Sequence, residues 1–101
     1  SEVSQESTET AREIVSLREH HRRLVAEHFG RATSSGLKVL EKLYSSPIVT
    51  VNNVMGITGS SFPAANQLIG KFMATGILSE STGRARNRRF RYDGYIGLFS
   101  D

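Results

Sequence analysis

The chain has 101 residues, no cysteine and a formal net charge of +3, and 38% of its residues are hydrophobic. A chain of this length forms one domain at most, with a short appendage as an option, and the lack of cysteine excludes disulfides and thiolate metal sites. No apolar run approaches the ~18 residues needed to span a bilayer, so we expect no membrane segment and a cytoplasmic protein. Because the first residue is Ser1 rather than methionine, we expect a piece of a longer protein.

The charge is divided unevenly along the chain. Residues 1–29 hold six acids against four arginines, a net −2, whereas residues 30–101 hold nine Lys and Arg against four acids, a net +5. Five of these cations lie in one short basic segment: Arg84, Arg86, Arg88, Arg89 and Arg91. Clustered arginine favours an anionic partner because its guanidinium fork matches phosphate oxygens, and nucleic acid is the commonest such partner. A solvated basic surface without a partner is the alternative.

The first long helix is predicted over residues 10–30. Residues 1–9 are polar and rich in Ser, Thr and Glu, a composition that favours a disordered lead-in. Thr10 and the Glu three residues later have the spacing of a capping box. Steps of three and four place five side chains on one stripe: Ile14, Leu17, His21, Leu24 and His28. This spacing is typical of a dimer seam, and packing of the helix on the following domain is the alternative.

Residues 31–101 are predicted to form a winged helix-turn-helix, a mainly α fold with a small β-hairpin. Helices are expected over residues 33–45, 51–58 and 63–76, with a short extended piece at 48–49. The inner face of the helix at 33–45 is expected to consist of Leu37, Leu40, Leu43 and Tyr44. The third helix is expected to begin after a Thr50 cap. Two short helices joined by a turn that contains glycine match a helix-turn-helix.

A basic hairpin is expected after the fourth helix, with strands at residues 77–81 and 89–92. Alternation along a strand puts Phe90 and Tyr92 towards the core and Arg89 and Arg91 towards solvent. In the loop, we expect three arginines to share one side: Arg84, Arg86 and Arg88. Glu80 alone cannot neutralise the five arginines of the basic segment, and phosphate is the natural counter-charge. A last short helix is predicted to follow, with Asp93 as its cap.

The fourth helix is the candidate recognition helix. The inner side is predicted to consist of Phe62, Ala65, Leu68, Ile69, Phe72 and Met73. The opposite side presents Ser61, Ala64, Gln67 and Lys71, with Asn66 to one side. Gln pairs with adenine, Ser contacts bases or phosphates, and Lys reaches a phosphate. The alternative is that these are ordinary exposed residues, because the face is only weakly basic.

No motif for catalysis, a cofactor or a metal is found in the sequence. His20 and His21 are adjacent, and His21 and His28 are two helical turns apart, so neither pair has the i, i+4 spacing that binds zinc from one helix. No Walker A, dinucleotide-binding or nucleophile-elbow glycine pattern occurs. We therefore expect a binding module without a cofactor.

The run of residues 45–99 resembles the carboxy-terminal winged-helix domain of Fic-family proteins. The resemblance lies in PIVTV at 47–51, ITGSSFPAAN at 57–66, GIL at 76–78 and TGRARNRRFRYDGYIGLF at 82–99. It extends to about residue 31, and the preceding helix fits the connector that follows the catalytic domain in that family.

Members of the Fic family transfer AMP from ATP to a hydroxyl of a target protein through a His-containing, Gly-rich motif. Nothing in this sequence matches that motif, so no catalytic residue is assigned here. The resemblance implies a regulatory module of a larger adenylyltransferase, with duplex DNA and the catalytic domain of the same parent chain as partners. The alternative is a protein-interaction module that docks on that catalytic domain or on an acidic target; contact between the hairpin and RNA is a weaker possibility.

Overall fold

The computed structural model of the chain describes residues 2–81 and 88–99, with side chains from residue 9 onward. Over these residues the fold is mainly helical with a small antiparallel sheet, as predicted. The elements in chain order are α1 (Glu2–His28), α2 (Thr33–Leu43), β1 (Ile48–Val49), α3 (Val51–Thr58), α4 (Phe62–Ala74), β2 (Ser79–Glu80), β3 (Phe90–Arg91) and α5 (Asp93–Ile96). Single 3₁₀ turns lie at Gly30–Ala32 and Gly97–Phe99. No helix in the described ranges is both long and apolar enough to cross a membrane.

Helix α1 is longer than predicted. It begins at Glu2, so residues 2–9 are helical rather than a disordered lead-in, and Thr10 lies inside the helix instead of capping it. Once a helix has nucleated, each further residue adds a backbone hydrogen bond, so a helix extends through polar residues that gain little from packing. The composition of residues 2–9 was therefore a poor guide to their backbone.

The boundaries of α2 and α3 follow from local hydrogen bonds. Helix α2 ends at Leu43 rather than Ser45, because the amides of Ser45 and Ser46 both turn back to the Lys42 carbonyl. The predicted cap at Thr50 is confirmed. Its hydroxyl accepts a hydrogen bond from the Asn53 amide at 3.2 Å, and the Asn53 side chain accepts one from the Thr50 amide at 2.9 Å.

The sheet has the strand order β1-β3-β2, with β3 in the middle. Both pairings are antiparallel, and Arg91 lies opposite Ile48 on one side and Ser79 on the other. The strands are shorter than predicted, although the amide of Ser81 also donates to the carbonyl of Arg89 at 2.8 Å. The predicted loop between these two strands, residues 82–87, lies outside the described residues.

The core is shared by α1, α2, α3, α4 and the sheet. Phe90 and Tyr92 are fully buried, which confirms the predicted alternation along this strand for both aromatic residues. Phe29 of the α1 end packs edge-to-face on Phe72 of α4, with ring centroids 4.8 Å apart. Helix α1 crosses α2 at Gly36, where a Cβ would lie 2.6 Å from a ring carbon of Phe29. The long helix is thereby fixed to the rest of the fold.

Four predicted positions differ from the structure. Phe62 and Met73 were expected to face inward but are 55% and 37% exposed, and Leu37 of α2 is 36% exposed. Phe62 and Met73 are eleven residues apart, close to three helical turns, so they lie on one flank of α4 beside the buried stripe. Asp93 does not cap α5: it is the first residue of that helix, and its carboxylate accepts a hydrogen bond from the Ser79 hydroxyl.

Candidate nucleic-acid interface

The start of α4 is organised by a tight turn after α3. Thr58 is the last residue of α3, and Gly59 follows with φ 68°, a left-handed conformation that favours glycine. Three residues separate the helices, and the last of them, Ser61, is the N-cap of α4: its hydroxyl accepts a long hydrogen bond, 3.4 Å, from the Ala64 amide. Ser61 therefore helps to begin the helix in addition to lying on its exposed side.

The predicted recognition residues all lie on the exposed surface of the turn and of α4. These residues are Ser61, Ala64, Asn66, Gln67 and Lys71. Gln67 and Lys71 are four residues apart, so they lie on neighbouring turns of one face. Lys71 is the only charged residue in α4. This surface can therefore offer two side-chain amides, those of Asn66 and Gln67, and one cation to a ligand, with the small residues Ala64 and Gly70 nearby.

An apolar flank accompanies this face, and the sequence reasoning missed it. It consists of Phe62 and Met73, which both leave apolar surface in solvent. The available signal was the position of Phe62 immediately before Pro63, because a residue in the first turn of a helix lies at the margin of the core. The surface of α4 is consequently more apolar than predicted.

The basic segment is only partly described. Arg84 and Arg86 lie outside the described residues, so the structure does not place them. Arg88 lies half-buried, with its guanidinium 2.6 Å from the Glu80 carboxylate and 5.2 Å from the centre of the Phe90 ring. Glu80 thus compensates the charge of Arg88, one of the five arginines of the basic segment. Glu80 pairs directly with Phe90 in the sheet, which brings the Glu80 side chain within reach of Arg88 two residues away.

The remaining two arginines differ in exposure. Arg89 is exposed, as predicted, whereas Arg91 in the central strand is half-buried. The Nε atom of Arg91 lies 3.6 Å from the Asp93 carboxylate, and it is buried without a hydrogen-bond partner among the described residues. Arg91 thus belongs to the sheet surface near Asp93 more than to an open cationic loop.

The stripe predicted as a dimer seam is largely covered by the chain itself. Leu17 and Leu24 pack against the core, His21 is only 8% exposed, and Ile14 is half-buried. His28 differs, because it is exposed and does not belong to the covered stripe. The stripe therefore needs no second copy to bury it, which favours the alternative that α1 packs on its own domain. Pairing of two chains stays a prediction.

His21 belongs to a buried polar network that the sequence reasoning did not find. Its Nδ1 lies 2.6 Å from the Tyr92 hydroxyl, which lies 3.3 Å from the Tyr44 hydroxyl. Burial, with a smaller contribution from neighbouring His20, lowers the pKa of His21 to about 4. Burial raises the pKa of Tyr92 well above its ordinary value, so its hydroxyl keeps its proton. The Nδ1 atom of neutral His21 can therefore accept a hydrogen bond from the Tyr92 hydroxyl, and the Tyr92 oxygen can accept one from the Tyr44 hydroxyl.

Comparison with known proteins leaves the family unassigned. No protein-family model matches the chain, and no curated protein matches it significantly. Within the described residues, no three His, Asp or Glu side chains lie close enough together to hold a metal ion. The resemblance to Fic-family proteins accordingly stays a prediction that depends on the sequence motifs alone.

Proposed function

We propose that residues 31–99 form a winged helix-turn-helix that binds duplex DNA. In this proposal α3 and α4 are the helix-turn-helix, α4 lies in the major groove, and the basic segment between β2 and β3 contacts the phosphate backbone. The order of elements supports it: three helices with a short strand before the second, then an antiparallel pair. We further propose that the parent protein is a cytoplasmic Fic-type adenylyltransferase and that this domain is its regulatory part.

The observation that carries the DNA-binding proposal is the division of α4 into two sides. One side is buried in the core through Ala65, Leu68, Ile69 and Phe72. The other is exposed, presents Gln67 and Lys71, and carries small residues that permit close approach to a groove. A bidentate amide is the group that reads adenine in the major groove.

The structure changes the roles proposed for the five arginines. Since Arg88 pairs with Glu80 and Arg91 lies beside Asp93, we assign them first to holding the hairpin. The phosphate contacts are then proposed for Arg84 and Arg86, and for Arg89 on the ground of its exposure to solvent. Each contact releases a counterion from DNA, so the proposed interface should be strongly dependent on salt.

A second candidate function uses the same surface for a protein partner. The apolar flank of Phe62 and Met73 favours it, because protein interfaces are enriched in Phe and Met and α4 carries a single cation. In this case the domain would dock on the parent's catalytic domain or on an acidic target. The two functions differ in which α4 residues matter.

The test is fluorescence anisotropy with mixed-sequence duplex DNA at several salt concentrations. We expect the double variant Arg84→Ala and Arg86→Ala to flatten the salt dependence by about 0.9 in log–log slope for each contact removed. Lys71→Ala should weaken binding on every duplex, whereas Gln67→Ala should matter only on a preferred site found by selection, by ~1–3 kcal/mol if Gln67 pairs with a base. Arg31→Ala is the control, because it removes an exposed arginine outside both proposed elements.

Two results would contradict the proposal. The first is binding of the arginine double variant and of Lys71→Ala with the affinity and salt dependence of the unchanged chain. The second is that Phe62→Ala and Met73→Ala weaken binding to a protein partner but leave the affinity for DNA unchanged. This result would support the docking function instead.

A further inference from the structure

Two adjoining cavities form one groove on the surface of α1, α2 and α3. The first, of about 800 Å³, lies between the end of α2, β1 and α3, and the second, of about 850 Å³, lies between α1, α2 and α3. Lys38, Glu41 and Ile57 line both cavities, which is why we treat the two as one groove. No residue of α4, β2 or β3 lines either cavity, so the groove is separate from the proposed DNA interface.

The second cavity supplies most of the apolar surface of the groove, whereas the lining of the first is mainly polar. In the second cavity the apolar residues are Ala26, Leu37 and Ile57, and Leu37 leaves more than a third of its surface exposed. In the first cavity Ile48 of β1 is 48% exposed. Isolated apolar residues on a surface are ordinary, but here they line one continuous concave surface, where a partner's apolar side chains could be buried.

The rim of the groove is cationic. Four cations line it, Arg22, Arg23, Lys38 and Lys42; Arg23 lies 4.0 Å from the Glu19 carboxylate on the same helix, and the cavities themselves hold a single acid, Glu41. That acid is already engaged, because it accepts hydrogen bonds from Arg18 at 2.7 Å and from Arg22 at 3.0 Å. Neither Lys38 nor Lys42 has an ion pair within the described ranges. An incoming carboxylate would therefore meet uncompensated positive charge.

We propose that this groove binds an acidic amphipathic peptide segment of a partner protein. The partner's apolar side chains would lie on Leu37, Ile57 and Ile48, and its carboxylates would pair with Lys38 and Lys42. Helix-in-groove recognition uses this combination of an apolar row and flanking charge. Complementary charge also speeds encounter and disfavours basic partners. The proposal does not depend on DNA binding, because it uses none of the α4 or hairpin residues.

The test uses the full 101-residue chain and a defined peptide probe. The probe is a fluorescein-labelled helical peptide of about 16 residues with Leu at positions i, i+3, i+4 and i+7 and Glu at the exposed positions. Two matched peptides replace every Glu by Lys or every Leu by Ser. We expect the acidic amphipathic peptide to bind at least about tenfold more tightly than either matched peptide in an anisotropy titration.

Two variants locate the site, and one controls for charge. Lys38→Glu reverses the charge at the junction of the cavities, and Leu37→Asp places a charge on the apolar surface of the second cavity; both residues are exposed, so neither change alters the core. Each should weaken peptide binding about tenfold or more. Arg31→Glu makes a matching reversal at an exposed arginine that lines neither cavity and lies outside α4 and the hairpin, and it should leave peptide binding unchanged. Amide shifts in a titrated ¹⁵N spectrum should fall on α1, α2 and α3 rather than α4.

Several outcomes would overturn the proposal. Equal binding of the acidic and basic peptides, or unchanged binding by Lys38→Glu, would remove the groove as an acidic-peptide site. Loss of duplex DNA affinity in Lys38→Glu without any peptide binding would make the rim a nucleic-acid contact. Self-association that Leu37→Asp abolishes, again without peptide binding, would make the groove an interface between two copies of this chain.

Discussion

The inner side of α1 and the outer side of α4 show two uses of helical surface in one small domain. On the inner side of α1, Leu17, His21 and Val25 meet other parts of the chain, and His21 hydrogen-bonds to Tyr92 seventy-one residues away. On the outer side of α4, Gln67 and Lys71 are exposed and contribute nothing to the core. We therefore expect substitutions on the inner side of α1 to change stability and substitutions on the outer side of α4 to change binding.

The largest expected effect is at the centre of the inner side. Tyr92 is fully buried and contacts His21 and Tyr44 through its hydroxyl and Tyr95 by ring stacking. We expect Tyr92→Ala to lower the free energy of unfolding by about 3–5 kcal/mol, because truncation leaves a cavity as well as lost contacts. Urea denaturation followed by circular dichroism measures it.

The same titration separates the ring of Tyr92 from its hydroxyl. Tyr92→Phe keeps the ring but leaves Nδ1 of His21 buried without its partner, at an expected cost of about 1–3 kcal/mol. The matched variant on the other side is Gln67→Ala, which should change stability by no more than about 0.5 kcal/mol. A large loss of stability in Gln67→Ala would show that the two sides do not differ as described.

Alanine substitutions at two helical glycines should change the stability of the fold in opposite directions. A Cβ on Gly36 would lie 2.6 Å from Phe29 and 2.9 Å from Val25, whereas a Cβ on Gly70 would meet nothing within 4 Å. Gly36→Ala should destabilise by about 1–3 kcal/mol through overpacking. Gly70→Ala should stabilise by roughly 0.5–1 kcal/mol, because Ala favours the helix and the site is open. Thermal denaturation of both variants checks the signs, and a stabilised Gly36→Ala would contradict the close packing of α1 on α2.

The last expected effect is a pH dependence of stability that belongs to His21. The pKa of His21 is about 4 in the folded chain against an ordinary 6.5, so between these values the unfolded chain binds a proton that the folded chain does not. The stability that neutral His21 contributes is therefore fully present above pH 6.5 and is lost as the pH falls from 6.5 to about 4. The stability of the unchanged chain should fall over this range.

A matched control isolates that contribution. His21→Gln should show a shallower loss of stability between pH 7.5 and pH 5 than the unchanged chain, whereas Gln67→Ala, which removes an exposed side chain without an ionisable group, should follow the unchanged chain. Urea titrations at about four pH values within this range provide the comparison. If all three proteins lose stability in parallel, His21 is not the group that titrates.

Much of the architecture could be predicted from the sequence because it depends on local physics. The Thr50 cap, the glycine turn after α3 and the burial of Phe90 and Tyr92 each follow from neighbouring residues and from strand alternation. The exposed recognition residues were also placed correctly, since the apolar period of α4 defines its buried side. What these exposed residues bind stays a prediction.

The remaining features were decided by tertiary structure, because they join residues far apart in the chain. Periodicity placed Leu17, His21 and Leu24 on one stripe, but only the packing of α1 shows that this stripe meets its own domain. Arg88 and Glu80 look independent in the sequence and pair only because β2 and β3 adjoin. The buried His21–Tyr92–Tyr44 network has the same origin. A pattern specifies which side of an element is apolar, whereas the identity of the group that covers it depends on how the elements pack.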